Sequence, residues 1–229
     1  MAVITLSRQF GSGGDEIVEK LCQITGYSLL DKRILEKAAV EAGISDQEIV
    51  DYSEANYKVK NLLERLFGIN RPVARVSVWS EDTDGLRSQS QLVLSEEHAL
   101  VLVRKAVEMA YQAGNIIVVG RGGQAILKNR PGALHVRVIS GFEDRIIRTR
   151  RDPRLANVQF SDSVEARRAA QDLMLKHDEA SAEYLQRFHN INWDDPYLYH
   201  LIVNTSKVSI ENAARAIAEL ARQLEPMAV

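Results

Sequence analysis

A single cysteine, Cys22, serves the whole 229-residue chain, so neither a disulfide framework nor a cysteine metal cluster can be built from it. Helical spacing puts Cys22 beside the apolar Val18 and Leu21, the place of a packed thiol in a reducing compartment. No apolar run approaches the roughly 20 residues of a membrane span, and the first residues show neither the basic nor the apolar region of a signal peptide. The expectation is a cytoplasmic protein with no membrane partner. Net charge is also scarce: 29 Lys and Arg against 31 Asp and Glu leave -2, which gives no overall field for a nucleic acid polymer, although local basic clusters remain compatible. A composition of 45% hydrophobic and 26% charged residues excludes disordered and fibrous classes. It suits one globular domain, or a core with insertions, and leaves a homo-oligomer open.

The stretch that organises the rest is Ile4-Thr5-Leu6-Ser7-Arg8-Gln9-Phe10-Gly11-Ser12-Gly13-Gly14-Asp15-Glu16-Ile17, an apolar strand running through a glycine turn into a helix. Glycines let the backbone curl so that N–H groups point inward, and a helix start adds the positive end of its dipole. An anion is thereby held without a side chain. The pattern G-x-x-x-x-G-K-[ST] is matched only in part. With Gly13 on the second glycine, Arg8 falls on the first, Gly14 on the lysine and Asp15 on the hydroxyl residue.

Short apolar runs then alternate with helical patterns, the sequence form of a parallel sheet wrapped by helices. Ala2 to Leu6 is the expected first strand. A helix from about Gly13 to Thr25 carries Ile17, Leu21 and Ile24 on one face, and Gly26 ends it. Tyr27 to Leu30 follows as a second strand, and Asp31 at its end either caps the helix of Ile34, Leu35, Ala38 and Ala39 or touches a ligand. From Gly43 to Gly114 the alternation breaks. Ser45 to Phe67 and Ser95 to Ala113 read as helices, and Gly68 to Gln91 reads as a long loop in which Val78 and Trp79 cover either a partner or their own domain.

Asn115 to Val119 is the third expected strand, and it runs into Gly120-Arg121-Gly122-Gly123. Ligands gather at the C-terminal ends of such strands, and an arginine between glycines there can grip two phosphate oxygens at once. His135 to Ile139 is the fourth strand, its histidine a simple packed or exposed residue. Arg145, Arg148 and Arg151 follow at offsets of three, which on a continuous helix sets three guanidinium groups on one face, suited to a polyphosphate clamp. Ser163 to Phe188 is a long polar helix, Trp193-Asp194-Asp195-Pro196 a turn, and His200 to Asn204 the fifth strand. A last helix aligns Ile210, Ala213, Ala214, Ile217, Leu220, Ala221 and Leu224.

These residues resemble the cytidylate-kinase-like branch of the P-loop nucleoside monophosphate kinases. The likeness lies in Ile4 to Gly14, Tyr27 to Ala39, Val118 to Gly123, His135 to Arg151, Asp178 to Phe188 and Trp193 to Ser206. It implies an α/β, P-loop NTPase-like three-layer fold with a five-stranded parallel sheet in order 2-3-1-4-5, as a single domain over 1–229. A helical insertion at about 43–114 would receive the monophosphate, and a lid at about 145–190 would close on ATP. It further implies in-line transfer of the γ-phosphoryl group of ATP, with Mg2+, to a nucleoside monophosphate, CMP favoured.

In that reading Gly11, Ser12, Gly13, Gly14 and Asp15 bind the ATP phosphates, and Asp15 is the candidate Mg2+ ligand. Arg121, Gly122 and Asp31 bind the acceptor, and Arg148 and Arg151 reach in from the lid. Arg8 either stands in for the missing lysine or pairs with Asp15 or another carboxylate and braces the loop. The chain departs from its relatives at Asp15, where many end the loop G-S-G-G-R, and at Ser181, where many carry the arginine of D-x-x-R-A-x-Y. Those departures motivate the alternative of a regulatory or scaffold module that binds nucleotide with a degenerate kinase site.

Overall fold

The structure is a computed structural model that describes residues 2–30, 75–81, 87–93, 96–152, 155 and 162–224. Its described elements run β1 (Val3–Arg8), α1 (Gly14–Thr25), β2 (Ser28–Leu29), β3 (Arg75–Glu81), β4 (Arg87–Val93) and α2 (Glu96–Ala113). They continue with β5 (Ile116–Val119), α3 (Gly123–Ile126), β6 (Ala133–Ile139), α4 (Phe142–Thr149), α5 (Ser163–His189), a 3-10 turn (Pro196–Leu198), β7 (Leu201–Asn204) and α6 (Ile210–Leu224). The chain divides into two compact units, Met1–Leu30 with Ala110–Val229, and Asp31–Met109.

The first unit is built on a parallel five-stranded sheet in the order β2-β5-β1-β6-β7. Counted along the chain, these strands give the order 2-3-1-4-5 that the family resemblance implies. Alternation in β1 decides what each face meets. Ile4 and Leu6 share a core with Ile17, Val18 and Leu21 of α1 and with Ala213, Ala214, Ile217, Ala218 and Ala221 of α6. Thr5 faces the other way, toward α3. A Cβ on Gly123 would lie 3.1 Å from Thr5 Cγ2 and 3.2 Å from Val118 Cγ1, so the close approach of that helix turn depends on glycine.

Buried polar groups tie the unit together near the C-terminal end of β1. Arg137 of β6 donates to the Trp193 carbonyl, the Tyr199 hydroxyl and the Asp194 carboxylate, with its guanidinium 4.3 Å from the Trp193 ring centroid. Trp193 Nε1 in turn donates to Ser7 Oγ at 2.7 Å. The chain leaving α5 is thereby fastened to the central strands, and α5 starts from Asp162, whose side chain accepts from the Val164 and Glu165 N–H groups.

The second unit contains an antiparallel ribbon of β3 and β4, with Trp79 opposite Gln89. This replaces the loop expected over Gly68 to Gln91. Its strands alternate as Val76-Ser77-Val78 and Gln89-Ser90-Gln91-Leu92, with Asp84-Gly85 between them, a hairpin pattern that serine and glutamine disguise as loop composition. Helix α2 matches the expected Ser95 to Ala113. The helices expected over Ser45 to Phe67 and around Ile34 to Ala39 lie outside the described residues.

His135 is packed rather than exposed, at 3% relative exposure. Its Nε2–H donates to the Leu127 carbonyl (3.2 Å), and Nδ1 accepts from the Thr5 hydroxyl (2.8 Å), which fixes the neutral tautomer. Burial first, then the neighbouring His200, pushes its pKa down to about 4 from an ordinary 6.5. The unfolded chain thus binds more protons than the folded one between those values, so this contribution to stability is complete above pH 6.5 and is lost as pH falls toward 4. Denaturant midpoints of the wild type should drop over that window with a slope of at most about 1.4 kcal/mol per pH unit from this group. In His135→Gln that component should be missing, and an unchanged pH profile would show that His135 does not carry it.

Candidate phosphate-binding site

The site begins where β1 ends. Gly11 (φ 72°) and Gly13 (φ 82°) are left-handed, and Gly13 leads into the 12-residue α1 with no side chain capping it. First-turn N–H groups of such a helix have no partner within it, and they concentrate the positive end of its dipole. Its glycines also leave no room for a side chain. A Cβ on Gly11 would lie 2.5 Å from Thr149 Oγ1, and one on Gly14 would lie 2.7 Å from Arg8 Cβ.

Two helices from distant sequence hold this loop in shape. Arg145 of α4 donates through Nε to the Phe10 carbonyl at 2.8 Å, while Asp178 of α5 accepts from the Phe10 N–H at 2.8 Å. Arg145 and Asp178 form an ion pair with each other, both side chains largely buried, and the Phe10 ring stacks on His177 with centroids 4.5 Å apart. Beside them Arg148 reaches Ser140 Oγ (3.0 Å), Thr205 Oγ1 (3.3 Å) and the carbonyls of Gly11 and Thr205 (3.4 Å each). Thr205 Oγ1 donates to the Ser12 carbonyl at 2.6 Å, which brings the Asn204-Thr205-Ser206 segment onto the loop. Among the described residues the buried hydroxyls of Ser12 and Thr149 have no hydrogen-bond partner.

The three-arginine face expected at 145, 148 and 151 does not form. Helix α4 ends at Thr149, so Arg151 sits in the exposed turn beyond it, and Arg145 is turned inward to Asp178 and Phe10. Of the three, Arg148 is the one beside the helix start: a Cβ on Gly13 would lie 3.8 Å from its Nε, while Arg145 is spent on the Phe10 carbonyl and Asp178. Ser181 donates to the His177 carbonyl of its own helix at 2.9 Å.

On the opposite flank, Arg8 Nε donates to Asp15 Oδ1 at 2.7 Å, with Asp15 largely exposed. The second oxygen of Asp15 is the one left to a metal, and among the described residues no group of three acidic, histidine or cysteine side chains could hold an ion. At the end of β5, Gly120, Arg121 and Gly122 are all left-handed, with φ of 65°, 57° and 67°. That conformation is ordinary for glycine and costly for arginine, a mark of a constrained site. Arg121 Nη1 donates to the Leu30 carbonyl at 3.2 Å. Burial, then the charge of Arg8, lowers its pKa to about 10, against an opposing pull from Tyr184. A Cβ on Gly122 would lie 2.4 Å from His189 Nε2, so glycine there admits the end of α5. Asp31 lies outside the described residues.

Sequence spacing found the glycines, Arg8, Arg121 and Arg148. It did not find the fixing of the loop through Phe10, Arg145, Asp178 and Thr205, because those residues meet only in the fold.

A family model described as the cytidylate kinase-like family matches residues 3–207. No curated protein matches the sequence. Among solved structures, an uncharacterized protein from Eubacterium ventriosum is 17% identical with a TM-score of 0.59, over 97% of this chain and 99% of that one, a likeness of fold. Shikimate kinase from Acinetobacter baumannii, in complex with shikimate, is 13% identical with a TM-score of 0.44, over 98% of this chain and 95% of that one.

Removing Asp178 should leave a buried guanidinium and the Phe10 N–H without their partner. Asp178→Ala is expected to lower stability by roughly 3 kcal/mol, read as a fall in denaturation midpoint. A loss below about 0.5 kcal/mol would mean that the pair does not hold the loop.

Proposed function

The chain belongs to the cytidylate kinase-like family, and from that premise we propose that it transfers the γ-phosphoryl group of ATP to a nucleoside monophosphate, CMP by preference. The observation that carries this reading is the uncapped, glycine-lined start of α1, with Arg148 on one flank and Arg8 and Arg121 on the other. Phosphoryl transfer of this kind needs positioning and charge neutralisation more than covalent help, and an acceptor phosphate that is already anionic needs no general base.

In this mechanism the backbone N–H groups of Gly11 to Gly14 hold the ATP phosphates. Arg148, kept at the loop by Ser140 and Thr205, supplies a cation beside them. Arg8, with its stem across Gly14, brings its charge to the junction of donor and acceptor. Arg121 and Gly122 receive the acceptor phosphate, and Arg151 approaches from the exposed turn. Mg2+ on the ATP phosphates would neutralise charge, and Asp15 is the carboxylate at the helix start that would hold it. The residues present fit a polyphosphate at the loop, and they leave the metal largely to its nucleotide.

A coupled ADP-release assay with ATP and Mg2+ across the common monophosphates tests the proposal, with CMP expected to give the highest kcat/KM. Retained ATP binding without turnover on any monophosphate would favour a regulatory or scaffold module instead. Arg121→Lys keeps the charge but loses the fork geometry. It should raise the KM for the monophosphate about tenfold while ATP binding stays nearly intact. An equal loss of ATP affinity would place Arg121 on the donor side.

A further inference from the structure

We propose that Arg8 and Arg121 hold a single doubly charged phosphate group between them, that of the acceptor, so that Arg8 serves the acceptor rather than replacing the loop lysine on the donor. The identity of that phosphate rests on the kinase reading above. The anion site itself rests on the geometry.

Strands β1 and β5 are neighbours in the sheet, with Leu6 paired to Val119 and the Gly120 N–H donating to the Leu6 carbonyl at 2.9 Å. Two residues past that pair the chain carries an arginine in each case, Arg8 as the last residue of β1 and Arg121 in the left-handed turn that follows β5. Both arginines are thus brought to the C-terminal edge of the sheet, where strand order reverses about β1, near enough for the charge of Arg8 to act on Arg121. Asp15 engages Arg8 through Nε alone, which leaves both terminal nitrogens of Arg8 without a partner among the described residues. Arg121 has the Leu30 carbonyl as its hydrogen-bond acceptor there and no carboxylate.

A buried cation next to a second cation is unfavourable unless an anion lies between them. The lowered pKa of Arg121, to which Arg8 is the second contributor after burial, registers that unfavourable state. Two guanidinium groups with donors to spare match a phosphate monoester, which carries close to two charges at pH 7 and three acceptor oxygens. The donor side has a separate cation in Arg148, placed on the other flank by α4.

Titration calorimetry without ATP or Mg2+ tests the proposal, using inorganic phosphate, CMP and cytidine against the wild type, Arg8→Gln, Arg121→Gln and the double variant. A separate arm titrates ATP. Each single variant should weaken phosphate and CMP about tenfold or more, with cytidine unaffected. The double variant should lose less than the product of the two single losses, because both arginines act on one group. ATP affinity of Arg8→Gln should change by less than about twofold. Should Arg121→Gln fail to fold, Arg121→Lys replaces it in the same cycle.

Loss of ATP affinity in Arg8→Gln with CMP and phosphate spared would overturn the proposal. So would a lowered melting temperature with every affinity kept, which would make Arg8 a brace for Asp15. If phosphate and CMP bind in the expected pattern while no monophosphate is ever turned over, the two-arginine site stands and the kinase reading falls. If CMP is turned over and its KM is unchanged in Arg8→Gln, the kinase reading stands and the site falls.

Discussion

Both hydrogen-bonding groups of Phe10, its N–H and its carbonyl, are held by the two members of one buried ion pair, Asp178 and Arg145. The site depends on that arrangement more than on any other. A glycine-rich loop is conformationally free, and an anion cradle made of backbone N–H groups works only if the N–H groups are already aimed. The ion pair supplies the aim by fixing the loop's entry from α4 and α5 at once, and the Phe10–His177 stack adds an apolar contact on the same spot. The pair is itself satisfied, each charge having both its partner and a Phe10 backbone group, which is the condition under which a buried pair is tolerated.

From this fixed point the other charges acquire distinct places. Among the described residues Arg148 is held by neutral oxygens only, those of Gly11, Ser140 and Thr205, which leaves its charge for a ligand at the loop. Arg121 is buried in a left-handed turn beside Arg8, where its charge is least comfortable without an anion. The loop has lost the lysine that usually serves both phosphates. In its place stand cations on two flanks, one carried by α4 and two by the ends of adjacent strands. Such a division suits a reaction in which a donor and an acceptor phosphate must be neutralised separately and brought into line.

Much of this was legible in the residues. Buried strands such as Ile4 to Leu6 and Ile116 to Val119, alternating with helices that carry apolar stripes, specify a parallel sheet. The order of that sheet followed from the family resemblance. Arg121 between glycines announced itself because an arginine at the end of a buried strand is unusual for structure alone. The seven-residue separation of Arg8 and Asp15 admitted two arrangements, and only coordinates could show the 2.7 Å contact between them. The Phe10 clamp was hidden because its members are 135 and 168 residues apart in the chain. The even spacing of Arg145, Arg148 and Arg151 misled because periodicity assumes that a helix continues, and α4 ends at Thr149. The β3–β4 ribbon was masked by polar residues at alternate positions, which read locally as loop.

In the function we propose, this loop and its flanking cations move a phosphoryl group from ATP to a nucleoside monophosphate. Incubation with ATP labelled at the γ-phosphorus and with CMP, followed by separation of the products, addresses it most directly. The expected result is label in CDP, in step with ADP release. Label recovered only as inorganic phosphate, or left in ATP while CMP, UMP, AMP and GMP are each supplied in turn, would contradict it.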